Sequence, residues 1–356
     1  MKPFLKIATL FSFFTFLVSC KDNGTNPDKT IKTPREMTWT ADTLTSPDPS
    51  GGQLMMENIL VFSTNDVWVC GWNDIARGLI WHYDGKQWRE SNIAADVGGM
   101  RVNDIAGYNS SNLWTVGYSG DEIFIARYDG QHWTKQNNMG IKGELLDMSK
   151  DLDGNLWACG RNGVIMKYDK TKWIVDTIKV NKYEEAEYSV SSVEYFNNKI
   201  FVLANTSDSK RKRSVYYYIY GEINNWLIAD SMVVDAPSSE IKWGNFGLFP
   251  IENKEFYSYG LSGIWKKSNE KWIKIFELPY EIYGMHGISP NYLIATGAFK
   301  NLFYYNGNTW ESVNNLFPQT DPYFVFTNVW TNGYETFIIG RNFQGYPVKT
   351  IIFHGK

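Results

Sequence analysis

Apolar and polar positions alternate in short runs along most of the chain, and the runs are separated by Gly, Asn and Asp. A period of two bounded by such residues predicts β-strands joined by tight turns. The run Asn65-Asp66-Val67-Trp68-Val69-Cys70-Gly71 returns as Asn112-Leu113-Trp114-Thr115-Val116-Gly117 and as Asn155-Leu156-Trp157-Ala158-Cys159-Gly160. Each is followed by a second apolar strand, a turn and a tryptophan. The endings are Tyr83-Asp84-Gly85-Lys86-Gln87-Trp88, Tyr128-Asp129-Gly130-Gln131-His132-Trp133 and Tyr168-Asp169-Lys170-Thr171-Lys172-Trp173, with a later echo in Tyr305-Asn306-Gly307-Asn308-Thr309-Trp310. Asp-Gly and Asn-Gly supply the positive φ angles that a two-residue hairpin turn requires.

Two landmarks count the copies. A small residue closes the second strand at Gly71, Gly117, Gly160, Ala204, Gly260, Gly297 and Gly340, and a large apolar residue stands three positions earlier. The fourth-strand tryptophan occurs at Trp88, Trp133, Trp173, Trp226, Trp272 and Trp310. The first landmark therefore has one more copy than the second. The last copy stops after the strand Val348 to Phe353, at His354-Gly355-Lys356, where a turn should precede its tryptophan. The segment Glu36 to Asp42, with Trp39, stands alone before the first copy and reads as an orphan fourth strand. Joining the two ends completes a seventh unit and leaves no sheet edge open between them. From Trp39 to Trp310 the tryptophans recur about every 45 residues, the length of a four-stranded blade. The sequence thus predicts an all-β, seven-bladed β-propeller of four-stranded blades over residues 36–356, with blades four and five the least regular.

These copies resemble the tryptophan-rich propeller repeats of secreted bacterial proteins. Asp151-Leu152-Asp153-Gly154-Asn155-Leu156-Trp157 is similar to repeats of sensor-kinase propellers. The resemblance covers nearly the whole chain after its leader and implies the fold, but propellers host many unrelated tasks.

The amino terminus has a different pattern. Lys2 and Lys6 precede an apolar run from Ile7 to Val18 that is too short to span a bilayer, since about 20 residues are needed. A charged start and a short apolar core make a secretory signal over residues 1–19. The ending Leu17-Val18-Ser19-Cys20 resembles the lipobox of bacterial lipoproteins. That resemblance implies that Cys20 receives the lipid, and that the chain is anchored in the cell envelope, at the outer membrane or cell surface in preference to the inner membrane. Residues 20–35 are polar and read as a flexible tether.

Composition narrows the function. The chain has 356 residues, with 35 basic and 38 acidic side chains and a formal charge of −3. No nucleic-acid partner is expected from that balance. Three cysteines exclude a disulfide scaffold. Cys70 and Cys159 occupy the place of Val116 in non-adjacent blades and are expected as buried, unbridged small residues.

The search for chemistry finds no specific constellation. His82 belongs to a third strand, and His132 and His354 are expected at turns. No histidine pair has metal-ligand spacing. Asp151, Asp153 and Asn155 start like a calcium loop, but Gly154 comes too early and Asn162 stands where a bidentate Glu is required. The segment reads as a turn. No Gly-x-Ser-x-Gly elbow or phosphate loop is present, so no catalytic residue, metal or cofactor is assigned. The basic run Lys210-Arg211-Lys212-Arg213 and the acidic segment Tyr183 to Glu187 should emerge on one face and neutralise each other in part.

In a meander, alternate connections share a face. The connections between second and third strands carry Trp72, Asn73, Arg77, Tyr118, Asp121, Arg161, Asn162, Arg341, Asn342 and Phe343. Aromatic faces with Arg and Asn donors suit glycans or protein loops. Arg161-Asn162 and Arg341-Asn342 repeat one dipeptide after the closing glycine. The expected function is a lipid-anchored, monomeric binding or scaffold module for a glycan or an envelope protein. The alternative is a carbohydrate-active enzyme with its site in the central funnel, which would show carboxylates and Arg converging there.

Overall fold

The computed structural model describes residues 30–47, 52–75, 77–91, 93–180, 187–208, 210, 212–235, 240–343 and 346–356. The expected signal peptide, Cys20, most of the tether, Arg211 and Tyr183 to Ala186 lie outside the described residues. Lys32–Lys356 forms one unit. Met1–Ile31 forms another, of which only Thr30 and Ile31 are described, in neither helix nor strand.

Seven four-stranded antiparallel sheets make up the larger unit, and six of them are simple meanders. The innermost strands are Leu54–Ser63, Arg101–Asn109, Leu145–Lys150, Glu187–Phe196, Gly247–Ile251, Ile282–Ser289 and Val325–Thr331. The seventh sheet takes its outermost strand, Trp39–Leu44, from the amino-terminal end, beside Thr350–Gly355. The protein is a seven-bladed β-propeller closed as its sequence predicts.

Seven hydrophobic clusters hold the ring, and each lies between two neighbouring blades. Their centre is the large residue of the second strand. Trp68 meets Tyr128 of the next blade at 5.6 Å, Trp114 meets Tyr168 at 4.4 Å and Trp157 meets Trp226 at 6.4 Å. Across the ring closure, Phe337 meets Tyr83 at 6.1 Å. The tryptophans are inter-blade packing, each contact worth about 1 kcal/mol beyond the area it buries. Cys70 and Cys159 are buried and unbridged.

Two local expectations change. The turns before the tryptophans have four residues, since Tyr83 pairs with Trp88. Only the third residue of Tyr83-Asp84-Gly85 has positive φ, at 86°. The aspartate explains the longer loop: Asp84 Oδ1 accepts the N–H groups of Lys86 and Gln87, and the Tyr83 hydroxyl donates to the Gly85 carbonyl. Such side-chain turns replace the tighter backbone turn. His354 lies in a strand, not a turn. It is 4% exposed, stacks on Phe337 at 3.9 Å and bonds Glu335 at 2.7 Å. The final strand runs to Gly355 because its amino-terminal partner continues the pairing to Trp39.

Closure rests on more than the ladder. Trp39 packs edge-on against Phe317 at 5.0 Å, and its indole N–H donates to the Pro34 carbonyl at 2.9 Å. Thr38 and Lys356 exchange both backbone hydrogen bonds. Replacing Trp39 with Ala should therefore cost about 2–3 kcal/mol, read as a fall of several degrees in the thermal midpoint. An unchanged midpoint would mean that the strand adds nothing to closure.

Candidate functional site: the mouth of the central channel

One backbone irregularity shapes the axis. Six innermost strands carry a bulge near their start, between Met56 and Asn58, Val102 and Asp104, Leu145 and Asp147, Val190 and Ser192, Ile282 and Gly284, and Phe326 and Asn328. A bulge adds one residue and re-aims the side chains beside it. The closing small residue of the second strand sits opposite. A Cβ on Gly71, Gly117 or Gly160 would run into the carbonyl oxygen of Met55, Arg101 or Glu144. In the first three blades the closing glycine thus sits opposite the bulge of the inner strand.

The residues after the bulges lace neighbouring blades together. Asn328 Nδ2 donates to the Glu57 carbonyl and to Asn58 Oδ1, at 3.1 and 2.9 Å. Asn58 Nδ2 donates to the Asn103 carbonyl at 2.7 Å. Asn103 in turn donates to the Leu145 carbonyl, and Asp104 accepts the Met148 N–H. Asp147 accepts the Val193 N–H, and Ser149 donates to Glu194. This lacing joins blade seven to one, two, three and four. One position earlier, where the other blades carry Glu57, Asn103, Leu146, Ser191 and Thr327, blades five and six present Phe246 and Tyr283, stacked at 5.8 Å.

Burial in the channel wall raises the carboxyl pKa values. Asp104 and Asp147 are both raised, first by desolvation and, for Asp104, next by the charge of Asp147. Glu194 is pushed up to about 8 by desolvation and then by Asp147. His286, buried on the blade-six wall, is pushed down to about 4.

Above the lacing opens a cavity of about 380 Å³. Its lining comes from the innermost strands of six blades, so it lies on the ring axis, and it also includes Arg341 and Phe343. It therefore opens on the face that bears the connections between second and third strands. Arg341 reaches across the seam to Glu57 at 3.2 Å and lies over the Phe343 ring at 5.2 Å. Its buried Nε has no hydrogen-bond partner among the described residues. Phe246, Tyr283 and Phe343 are 36%, 39% and 48% exposed and belong to consecutive blades, so they form one aromatic arc.

Of the residues singled out in the sequence, Arg341 and Phe343 line this cavity, and the others sit further out on the same face. Arg161 pairs with Glu144 at 2.8 Å and with Glu187 at 3.6 Å, so the acidic segment answers Arg161. Asn162, at φ 60°, donates its backbone N–H to the Tyr188 carbonyl. Trp72 and Tyr118 hold Arg101 between them, 3.9 and 6.0 Å from the ring centroids. Asn73 is buried and accepts the Arg77 N–H, and Arg77 pairs with Glu90 of the outermost strand. Asp121 pairs with Lys142, and Asn342 is partly exposed beside Arg341. Sequence reasoning missed Glu57, Arg101, Phe246 and Tyr283. The signal for the inner ring was present as a small or polar residue before an apolar one in all seven copies: Asn58-Ile59, Asp104-Ile105, Asp147-Met148, Ser192-Val193, Gly247-Leu248, Gly284-Met285 and Asn328-Val329.

The fold has known counterparts. YCF48 bound to D1 peptide superposes with a TM-score of 0.60 at 15% identity, covering 89% of this chain and 94% of that one. YCF48 from Cyanidioschyzon merolae gives 0.55 at 12% identity, with 88% and 98% covered. The extracellular domain of a hybrid two-component system from B. thetaiotaomicron gives 0.61 at 11% identity, and this chain spans 40% of that protein's chain. At these identities the likeness is one of fold. No protein-family model and no curated protein matches the sequence.

The raised carboxyls give a signed pH dependence. The folded chain holds the Glu194 proton more tightly than the unfolded chain does, so stability falls as pH rises from the ordinary Glu value of 4.5 to about 8. Glu194→Gln removes that contribution and keeps an oxygen for Ser149. Its thermal midpoint should match the parent near pH 4 and exceed it at pH 8. Parallel midpoint curves for the two proteins would show that Glu194 does not titrate in this range.

Proposed function

We propose that this chain is a lipid-anchored, extracytoplasmic binding module that takes an extended segment of a protein partner into the channel mouth. The observation that carries this is Arg341, held at a cavity rim beside an aromatic arc with its Nε unpartnered. A guanidinium in that position offers a directional donor to a carbonyl or carboxylate, and the arc offers apolar area to side chains. Trp72, Arg77, Tyr118, Arg161, Asn162 and Asn342 supply the surrounding rim. A propeller of similar fold, YCF48, is described as bound to a peptide, which supports this reading.

The enzymatic alternative needs two carboxylates facing each other across open space. Asp104 and Asp147 instead accept backbone N–H groups of the next blade, and Glu57 is engaged by Arg341. Among the described residues no helix is long and apolar enough to cross a membrane. Attachment in this reading comes from the lipid on Cys20.

Two measurements test the proposal. Cys20→Ser should release the protein from the membrane fraction and abolish incorporation of labelled fatty acid; retention of the label would end the anchoring assignment. Arg341→Ala should weaken capture of the envelope partner at least tenfold, about 1.4 kcal/mol, with an unchanged circular-dichroism spectrum. Arg161→Ala should weaken it less, because Arg161 is committed to Glu144. Equal capture by the parent and Arg341→Ala proteins would remove the mouth as the binding site.

A further inference from the structure

The seam between blades four and five holds open space. In the first three blades the second strand presents Trp68, Trp114 and Trp157 to the next blade, whereas blades four to seven present the smaller Phe201, Tyr257, Ile294 and Phe337. The Phe201 ring packs on Phe256 at 5.1 Å and leaves space beside it. Two adjoining cavities of about 460 and 230 Å³ open there, and both are lined by Tyr218, Ala229, Lys267 and Glu270. They share no lining residue with the channel mouth.

Three features of this groove ask for a ligand. Tyr218 is 2% exposed, and its hydroxyl has no hydrogen-bond partner among the described residues. A buried hydroxyl left unpaired costs about 1–3 kcal/mol, a cost that an incoming acceptor would remove. The Lys267 ammonium stands 4.6 Å from the Tyr218 ring centroid and 5.1 Å from that of Trp272. It donates only to the Glu270 carbonyl at 3.1 Å and has no ion pair among the described residues. Its pKa is lowered, first by desolvation. Lys199, over the Tyr220 ring at 4.4 Å, and Lys271 likewise have no ion-pair partner among the described residues, whereas Lys242 is answered by Asp230. Across the two cavities five lysines (Lys199, Lys242, Lys267, Lys271 and Lys274) face three carboxylates (Asp230, Glu240 and Glu270), so the groove keeps a net positive lining over aromatic surface.

We infer that the groove between the fourth and fifth blades binds an acidic saccharide, whose anionic group is received by Lys267 and the Tyr218 hydroxyl while a sugar ring lies along the aromatic wall. The lysine stem is flexible, and its movement toward the anion uncovers the hydroxyl beneath it. Carbohydrate is favoured over an acidic peptide because the lining strands Arg213–Glu222 and Gly263–Ser268 are hydrogen-bonded on both sides within their own sheets. Tyr218 and Lys267 stand on these paired strands and so offer side chains and ring faces, while the outermost strands Asn225–Val234 and Lys271–Glu277 bring a backbone edge to the groove that the hexaglutamate comparison probes. The shared chemistry is an anion on a sugar, carboxylate or sulfate.

The test is calorimetric titration of the detergent-solubilised full chain with a hexamer of galacturonic acid, a sulfated hexasaccharide, a neutral galactose hexamer and hexaglutamate. At least one acidic saccharide should bind ten times or more tightly than the neutral hexamer, and the stronger arm identifies carboxylate or sulfate. Lys267→Gln should abolish that binding, and Tyr218→Phe should weaken it several-fold. Lys271→Gln, on the groove rim, should weaken it and reduce its salt dependence, which keeps the test open if the Lys267 variant misfolds. Failure of both acidic saccharides to bind, undiminished affinity in Lys267→Gln, or equal affinity for hexaglutamate would overturn the assignment.

Discussion

The axis of this protein depends on a single extra residue repeated round the ring. Each bulge turns an inner strand so that the next side chain aims at the neighbouring blade instead of along its own sheet. Without it, Asn58 could not reach the Asn103 carbonyl, nor Asp104 the Met148 N–H. The same irregularity brings an inner carbonyl against the second strand, and this favours a small residue there, glycine at Gly71, Gly117 and Gly160 and alanine at Ala204. Backbone geometry, a small-residue rule and inter-blade hydrogen bonding are three consequences of one constraint.

The parts of the fold legible in the sequence were those written by repetition. Trp68, Trp114 and Trp157 are spaced as packing demands, and the mismatch between landmark counts located the closure at Trp39. What escaped was anything decided between blades. Asp104 and Asp147 look like ordinary alternating polar residues, and only the bulge register shows that they accept hydrogen bonds across a seam. Phe246 and Tyr283 escaped for the opposite reason: they depart from the polar pattern, and a departure has no periodicity to reveal it. Arg161 and Arg341 share a dipeptide, yet Glu144 claims one and the axis receives the other. Those partners lie outside the repeat.

Regularity and chemistry consequently separate in this molecule. Blades one to three keep the large tryptophan and the Asn/Asp lacing, and their polar groups near the axis are engaged with one another. Blades four to seven loosen the pattern, and two buried atoms without a partner among the described residues line cavities there, Arg341 Nε at the mouth and the Tyr218 hydroxyl at the seam, although the first three blades also hold such atoms, as at Arg101 Nε and Trp114 Nε1. A repeat protein sums its stability over many similar interfaces. It can therefore lose packing at one seam, as with Phe201, without losing the ring.

The two sites also differ in what they can recognise. The mouth is ringed by the ends of several blades, with one cation already half-answered by Glu57, so charge alone will not select its occupant and shape must contribute. The seam groove carries more lysines than carboxylates beside its aromatic rings, so in the inferred site charge contributes more and affinity will fall with salt. Because their linings do not overlap, both can be filled at once. If both proposed sites are filled, a protein segment on the axis and an acidic saccharide at the seam are linked through one ring. A rigid ring suits that task, because it fixes the distance between the sites.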